Sequence, residues 1–212
     1  MKSAVVQNLH WRYATKKFDP NKKLNAQQIE TLCESFNLTA TSYGLQALKM
    51  VVISNADLKK QLVAHSWNQQ QVSDASHLLV ICRERTLDSD YIKDHFKRVE
   101  EIRNTPREIL DPFEKYLLDS FADKTEQEIA QWMDKQAYIA LGNLLTVCAV
   151  EQIDSCPMEG FDPQAYDELL ELESKGLHSV LVLPVGYRAE DDFMADLKKV
   201  RRGSDSVIIN IE

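Results

Sequence analysis

A long apolar segment at residues 137–150 places the strongest constraint on what this chain can fold into. It lies within a helical pattern that starts after Thr125, which forms a capping box with Glu128 three residues on. Almost every face of the helix is hydrophobic across 137–150, so this helix has to be buried. We expect the helix to stop at Pro157 and Gly160 to follow shortly after. A residue with a rigid backbone is then followed closely by one with a permissive backbone. That turn is a candidate functional site.

Length and charge limit the class of protein. The chain has 212 residues, enough for one compact domain with a core, so we expect a single domain over residues 1–212. Its net charge of −8 argues against nucleic acid and anionic membranes as partners, since these need a basic surface. The N-terminus lacks the apolar region of a signal peptide, and the run at 137–150 is shorter than the ~20 residues of a membrane span. We therefore expect a cytoplasmic protein in which any bound anion is held locally.

The cysteines and histidines predict neither disulfides nor a metal centre. The cysteines have no CxxC spacing, and three of them lie in apolar runs, so free buried thiols are expected. The histidines have no HExxH or other paired spacing. These residues are Cys33, Cys82, Cys148 and Cys156, and His10, His65, His77, His95 and His178.

The remaining patterns predict a mixed α and β chain with more helix than sheet. Strands are expected at 49–54, 78–82, 179–186 and 207–211. Helices are expected at 25–36, 57–64, 162–172 and 190–197, with two aromatic-rich helices in an insert at about 88–125. The continuously apolar run at 78–82 is typical of a strand covered on both faces, which places helices above and below the sheet.

Familiar catalytic motifs are absent, and six short motifs stand out instead. The chain has no GxGxxG, no GxxxxGK[ST] and no GxSxG, so Rossmann, P-loop and nucleophile-elbow sites are excluded. The six motifs are Arg12-Tyr13-Ala14-Thr15-Lys16-Lys17-Phe18-Asp19, Ser42-Tyr43-Gly44-Leu45-Gln46, Asp74-Ala75-Ser76-His77, Trp132-Met133 with Lys135-Gln136, Pro157-Met158-Glu159-Gly160-Phe161-Asp162, and Pro184-Val185-Gly186. In this order they resemble the flavin-dependent nitroreductase family over nearly the whole chain, and most closely its oxygen-insensitive NAD(P)H nitroreductases and related quinone reductases.

The resemblance implies a fold, a cofactor and an assembly. The fold would be α+β, with a central, mainly antiparallel sheet flanked by helices and the long buried helix in the core of a homodimer. Two FMN molecules would lie at the dimer interface, each touched by both subunits. NAD(P)H would give hydride to FMN N5 and leave, and a nitroaromatic, quinone or similar acceptor would then take two electrons at the same face, in a ping-pong mechanism. This explains why no conventional catalytic constellation is visible.

Roles for the first motif follow from the resemblance. Arg12 would meet the FMN phosphate, and Tyr13 and Ala14 would line the cofactor. Lys16 would reach the pyrimidine edge of the flavin, where an ammonium stabilises the negative charge left by reduction. On pattern alone, a charge run such as this is more often a solvated face.

The second motif would be donated by the other subunit. Thr41, Ser42 and Gly44 match a loop whose hydroxyls and backbone reach the phosphate and the isoalloxazine. This chain departs from the family's Ser-Ser-x-Asn-x-Gln-Pro-Trp form, and Tyr43 is expected to reshape the substrate face. Further substrate contacts are expected from the aromatic insert near residues 113–121.

Four polar residues elsewhere complete the implied cofactor contacts. Asn68 matches an amide that hydrogen-bonds the flavin ring, and Gln71 stands where some relatives carry a lysine. Lys199 and Arg201 match a basic pair that closes on the phosphate. The alternatives are a capping or surface amide for the first two and a solvated basic tail for the last two.

The turn after the long helix would lie along the flavin edge. Pro157, Met158, Glu159 and Gly160 match this segment, with the Glu159 backbone N–H pointing at flavin N5. A donor there polarises the atom that accepts hydride. The alternative is a simple Pro/Gly helix stop, and Cys156 beside it is expected to be inert packing. Reductive dehalogenation on the same fold and a flavin-binding protein without turnover remain alternative functions.

Overall fold

The computed structural model describes residues 3–212 and is built on one antiparallel sheet. Its four strands lie in the order β1-β2-β4-β3, and every pairing is antiparallel. The strands are β1 (Leu48–Ile53), β2 (His77–Glu84), β3 (Asp154–Ser155) and β4 (Leu177–Gly186). The three strands at the predicted runs near 49–54, 78–82 and 179–186 are confirmed. The two-residue β3 is too short to leave a periodic pattern in the sequence.

Within residues 3–212, eight α-helices surround the sheet. They are α1 (Ala4–Trp11), α2 (Ala26–Asn37), α3 (Ala56–Ala64), α4 (Gln71–Asp74), α5 (Ser89–Arg103), α6 (Arg107–Ala122), α7 (Glu126–Val150) and α8 (Pro163–Leu169). Two of them begin with complete capping boxes, Asn25 with Gln28 before α2 and Thr125 with Glu128 before α7. Both N-termini lie where the sequence placed them.

Strand β2 is covered on both faces, as its continuous apolar run predicted. Leu78 and Val80 point into one core cluster, which also contains Leu62 of α3 and Tyr166 of α8. The alternate residues of β2 point into a second cluster with the buried face of α7. The period-2 geometry of a strand accounts for this division. The α+β architecture is therefore confirmed, with helices on both sides of an antiparallel sheet.

The long helix α7 is buried on one side only within a single chain. Leu144 and Cys148 are fully buried against the sheet. In contrast, Tyr138, Ile139 and Val150 keep 48%, 49% and 45% of their surface exposed. Exposed apolar residues on one face of a helix are typical of an interaction surface.

Three expectations for local structure are wrong. Helix α7 ends at Val150 rather than at Pro157, because Gln152 adopts a positive φ of 54° and β3 intervenes. Residues 190–197 form turns rather than a helix, since the Asp192 carboxylate accepts backbone N–H groups there and elsewhere. Residues 207–211 pair with no strand of the described sheet and are exposed.

The described chain carries no disulfide: all four cysteines are free, and Cys82, Cys148 and Cys156 are buried. Within residues 3–212, no group of His, Cys, Asp and Glu side chains is arranged to hold a metal ion. None of the helices in the same range has the length and apolar character needed to cross a bilayer.

Replacing Gly186 by alanine is expected to destabilise the fold by about 2 kcal/mol, because overpacking a tight site forces the backbone to shift. A Cβ at Gly186 would lie 2.9 Å from the backbone nitrogen of Ser76 and 3.2 Å from Phe18. Thermal unfolding should show a Tm lower by roughly 4–8 °C for a chain of this length. Gly203→Ala is the matched control, because only the end of the Asp205 side chain opposes its Cβ. Equal Tm values for the two variants would refute this account of Gly186.

Candidate functional site

The first motif runs alongside β3 and thereby comes close to the turn after α7. Ala14 forms a parallel bridge with Ser155, and the Thr15 N–H donates to the Ser155 carbonyl at 3.2 Å. Met158 continues the edge by pairing with Val182, donating at 2.8 Å and accepting at 3.1 Å. Residues 12–17 and 154–160, which are about 140 positions apart in sequence, therefore share one edge of the sheet.

Three cations meet beside this edge. The Lys199 ammonium donates to the Arg12 carbonyl. The pKa of Arg12 is lowered, first by burial and then by repulsion from Arg201. Burial and the neighbouring Arg12 and Arg201 also lower the pKa of Lys199. We call Arg12, Lys199 and Arg201 the basic cluster.

The basic cluster is built like an anion site that the protein does not fill with its own carboxylates. None of its three cations forms an ion pair with a carboxylate of residues 3–212, although the net charge of the chain is −8. The Arg12 Nε atom is buried and has no hydrogen-bond partner in the described chain. A buried donor without an acceptor is costly, so this arrangement fits a bound phosphate group.

Lys16 and Gln71 converge on the Cys156 sulfur. The Lys16 ammonium lies 3.8 Å from Sγ, and the Gln71 amide nitrogen lies 3.9 Å from the same atom. Gln71 is held by Gln69, whose side-chain oxygen accepts at 2.9 Å. Burial raises the pKa of Cys156 despite the nearby Lys16, so the thiol stays protonated, as expected of a packing residue.

The turn of residues 157–160 is held in place from two sides. Tyr138 of α7 donates to the Glu159 carboxylate at 2.9 Å, and the Gln69 amide donates to the Gly160 carbonyl at 3.1 Å. A Cβ at Gly160 would lie 2.7 Å from the Trp67 ring, so this close approach requires glycine. The Glu159 backbone N–H donates to no acceptor within residues 3–212, which leaves it available to a ligand.

Asn68 lies beside this turn in a left-handed conformation with φ 58°. Its backbone N–H donates to the Val63 carbonyl at 3.1 Å, and its side chain is exposed. The structure therefore gathers most of the predicted cofactor residues into one region. They are Arg12, Tyr13, Ala14, Lys16, Gln71, Pro157, Met158, Glu159, Gly160, Lys199 and Arg201, with Asn68 next to Trp67.

The second motif lies elsewhere in the same chain. The segment of residues 41–46, which contains this motif, is called loop 41–46 below. The Ser42 N–H donates to the Gln136 side-chain oxygen of α7 at 2.9 Å. Tyr43 stacks on Trp132 at 6.2 Å with an 18° interplanar angle and meets Phe113 and Phe121 edge-on. No hydrogen bond or ring contact of the described residues joins Thr41, Ser42 or Gly44 to the basic cluster.

Sequence reasoning missed a carboxylate that fixes the first motif. Asp192 is 3% exposed, and its Oδ2 accepts from the Tyr13 hydroxyl at 2.9 Å and the Lys16 N–H at 3.0 Å. The Lys17 N–H donates to the same oxygen at 3.3 Å. Burial alone would raise the pKa of Asp192. The hydrogen bonds that its carboxylate accepts outweigh this effect, so the pKa is lowered; the donors are Met194, Tyr13, Lys16 and Lys17. The three consecutive acids at 190–192 were the available signal.

Arg188 was missed as well. Its guanidinium lies 4.4 Å from the Trp11 ring centroid and 4.5 Å from that of Tyr13. Its Nε donates to the buried Asp154 carboxylate at 2.7 Å. A planar guanidinium stacks on aromatic rings while it pairs with a carboxylate, so Arg188 ties α1 and Tyr13 to β3.

Asp192→Asn should weaken the fold most at neutral pH. A lowered carboxyl pKa contributes stability above the ordinary value of about 3.9, and that contribution is lost as the pH falls towards the lower folded value. The Tm difference between wild type and variant should therefore be largest near pH 7 and shrink progressively below pH 4. Asp191→Asn is the control, because Asp191 is exposed and pairs only with the exposed Lys17. A Tm difference that stays constant with pH would contradict the assigned role of Asp192.

Comparison with known proteins supports the same architecture. A solved nitroreductase candidate from Bacillus subtilis superimposes with a TM-score of 0.86 over 97% of this chain and 98% of its own, at 16% identity. A nitroreductase candidate from Exiguobacterium sibiricum, solved in complex with FMN, gives 0.85 over 100% and 99%, at 16% identity. At these identities the similarity shows the fold.

The sequence comparisons extend this to the family. The model of the nitroreductase family matches residues 9–187. A candidate NAD(P)H nitroreductase from Staphylococcus aureus is 36% identical over 98% of this chain and 96% of its own length. The chain belongs to the nitroreductase family of oxidoreductases.

Proposed function

We propose that the protein is an FMN-dependent oxidoreductase that passes hydride from NAD(P)H to nitroaromatic, quinone or similar acceptors in two half-reactions at one site. The observation that carries the proposal is the basic cluster with its buried, unpartnered Arg12 Nε. The FMN complex of the Exiguobacterium neighbour and the NAD(P)H nitroreductase names of the relatives support the same cofactor and donor.

Each gathered residue has a role towards the cofactor. Arg12, Lys199 and Arg201 would hold the phosphate, and Tyr13 and Ala14 would line the cofactor where Asp192 fixes the backbone. When bound, FMN supplies the hydride acceptor and donor that the side chains of this chain lack.

The residues around Cys156 set the electrostatics of the proposed flavin edge. Lys16 would place a positive charge there, and the neutral Gln71 beside it would add a hydrogen-bond donor without a second charge. Asn68 would contribute its exposed amide.

The turn of residues 157–160 contributes backbone rather than a reactive side chain. Glu159 would donate its free N–H towards flavin N5, and the Tyr138 contact to its carboxylate holds that N–H in place. Pro157, Met158 and Gly160 would line the same edge, since the pairing of Met158 with Val182 fixes the turn on the sheet.

A homodimer would complete the site. Loop 41–46 lies away from the basic cluster of its own chain, so its Thr41, Ser42 and Gly44 would reach the cofactor of a second copy. The open face of α7 offers Tyr138, Ile139 and Val150 for that association. Exposed apolar residues of α1 add to it, namely Val5, Val6 and Leu9. In this arrangement the chain acts as one cytoplasmic domain, with the insert at 88–125 beside the substrate.

An anaerobic spectral titration tests the proposed function. The purified protein should absorb near about 450 nm and release FMN on denaturation. NADH or NADPH should bleach that band, and a quinone or nitroaromatic acceptor should restore it. A yellow protein that NAD(P)H does not bleach would indicate flavin binding without turnover. Bleaching that only halogenated aromatics reverse would indicate reductive dehalogenation. A colourless protein that takes up no FMN would overturn the proposal.

Lys16→Gln should slow flavin reduction by at least about tenfold, because it removes the charge that stabilises the reduced flavin. The fold should be unaffected, since the Lys16 side chain is exposed. Stopped-flow reduction by NAD(P)H and the midpoint potential of the bound flavin are the measurements. Lys17→Gln is a matched control, because Lys17 pairs with Asp191 at the surface. Equal potentials in wild type and Lys16→Gln would contradict the role of Lys16.

A further inference from the structure

Loop 41–46 also walls a cavity to which the proposed function assigns no ligand. The cavity has a volume of about 170 Å³ and lies between the end of α2, the loop and α5. This is close to the 150 Å³ that accommodates benzene in a protein interior. Its apolar lining includes Phe36, Leu45, Leu48 and Ala140, and its polar lining includes Thr41, His95 and Arg98.

The loop that forms this wall is held rigidly. The Tyr91 hydroxyl lies 3.1 Å from both the Leu45 and the Gln46 carbonyl oxygens, and the Gln46 amide donates to the Asn37 carbonyl at 2.7 Å. Tyr43 and Gln46 adopt positive φ angles of 59° and 48°, a strained conformation that persists only where surrounding contacts enforce it. The cavity is therefore preformed.

The cavity carries one uncompensated positive charge. Arg98 is an exposed residue that lines the cavity, and it makes no ion pair with any carboxylate of residues 3–212. Burial and the neighbouring Arg98 and Arg103 lower the pKa of His95, so His95 is a neutral hydrogen-bonding group at pH 7. The Thr41 oxygen accepts a long hydrogen bond of 3.4 Å from the Gln46 N–H, and its own proton is not donated within the described chain. A guanidinium can donate two parallel N–H hydrogen bonds, and with neutral hydrogen-bond donors beside it, it is suited to binding a carboxylate.

The cavity adjoins a cluster of aromatic rings. A Cβ at Gly44 would lie 3.5 Å from the His95 ring. The His95 ring meets Phe96 at 5.4 Å, Phe96 meets Phe113 at 5.6 Å, and Phe113 meets Tyr43 at 6.2 Å, all edge-on. Gly44 lines the cavity and directly follows Tyr43, so the rings around Tyr43 lie next to the cavity wall.

We propose that this cavity binds the carboxylate of an aromatic electron acceptor, with Arg98 pairing to the carboxylate and His95 and Thr41 hydrogen-bonding to it. The inference rests on the proposed function, which places loop 41–46 over the flavin of a second copy. Aromatic carboxylates are then the preferred class of electron acceptor. The 2′-phosphate of NADPH is a second possible anion, but a cavity of about 170 Å³ matches a carboxylated ring better than an adenosine phosphate.

A matched pair of acceptors tests this inference. 4-Nitrobenzoate and 4-nitrobenzamide share the ring and the nitro group and differ in charge. The wild-type holoenzyme should favour the benzoate in kcat/KM by at least about tenfold, as a charge-assisted pair implies. Arg98→Gln should bring that ratio near one by raising KM for the benzoate, with kcat and bound FMN retained. Lys97→Gln should leave the ratio unchanged, since Lys97 is exposed on the same helix and does not line the cavity.

Inhibition by benzoate gives a second readout that needs no variant. Benzoate should compete with the neutral nitrobenzamide in the wild type, and benzamide should compete at least about tenfold more weakly. Equal kcat/KM for the two acceptors in the wild type would overturn the inference. So would an Arg98→Gln variant in which only the ratio of activity with NADPH to activity with NADH changes. In either case, reduction of nitrobenzamide would still support the proposed function. The proposed function would be refuted if the protein reduced neither acceptor and NAD(P)H did not reduce its bound flavin.

Discussion

Arg12→Gln is expected to lose bound FMN while keeping its fold. The Arg12 side chain is half-buried in the basic cluster, and its buried Nε atom has no acceptor among the described residues. A hydrogen bond to a charged group contributes about 1.5–3 kcal/mol, so the Kd for FMN should rise by about 100-fold. Removing one of three mutually repelling cations should leave the Tm of the FMN-free protein unchanged or slightly raised. Fluorescence titration with FMN is the measurement.

Two controls separate phosphate binding from general damage at this site. Lys17→Gln removes a nearby positive charge that is already paired with Asp191, so FMN should bind it as tightly as wild type. Riboflavin, which lacks the phosphate, should bind Arg12→Gln and wild type with similar affinity. If Arg12→Gln binds FMN normally, the basic cluster is not the phosphate site.

Ile139→Lys is expected to separate the proposed dimer and to release FMN. Ile139 is 49% exposed on the open face of α7, so a lysine costs little in an isolated subunit. Within a dimer core the same ammonium would be buried without a partner, which should raise the dimer Kd by at least about 100-fold. Loop 41–46 of one subunit would then no longer reach the cofactor of the other. Light scattering after size exclusion, with the flavin absorbance of each peak, measures both effects.

Ile102→Lys provides the matched control for Ile139→Lys. Ile102 is 75% exposed on α5 and is not part of the open face of α7, so the same substitution there should change neither mass nor flavin content. An Ile139→Lys protein that remains dimeric and yellow would show that the open face of α7 is not the interface. A wild-type monomer that retains flavin would contradict the shared site itself.

Local signals in the sequence were sufficient to locate most of the fold. The capping pairs at Asn25 and Thr125 satisfy backbone donors with side chains three residues away, so they are visible in sequence and appear unchanged in α2 and α7. The run at 78–82 is apolar at every position because both faces of β2 are covered. The errors lie where tertiary contacts decide, as in the turns at 190–197 that Asp192 organises.

The candidate site was less accessible to sequence reasoning because it depends on contacts between distant positions. Asp192 fixes Tyr13 from 179 residues away, and no local periodicity records such a contact. The pairing of Arg188 with Asp154 is hidden for the same reason. Motif resemblance supplied Arg12, Lys16 and the turn at 157–160, and the structure brings them together. It leaves loop 41–46 outside that group.

The affinities of the wild-type protein for FMN and for riboflavin test the central claim most directly. The two molecules share the isoalloxazine ring and differ in the phosphate that Arg12, Lys199 and Arg201 are proposed to hold. Calorimetric titration of flavin-free protein should give one FMN per chain and an affinity at least about 100-fold higher for FMN than for riboflavin. Equal affinities, or no binding of FMN, would contradict the account.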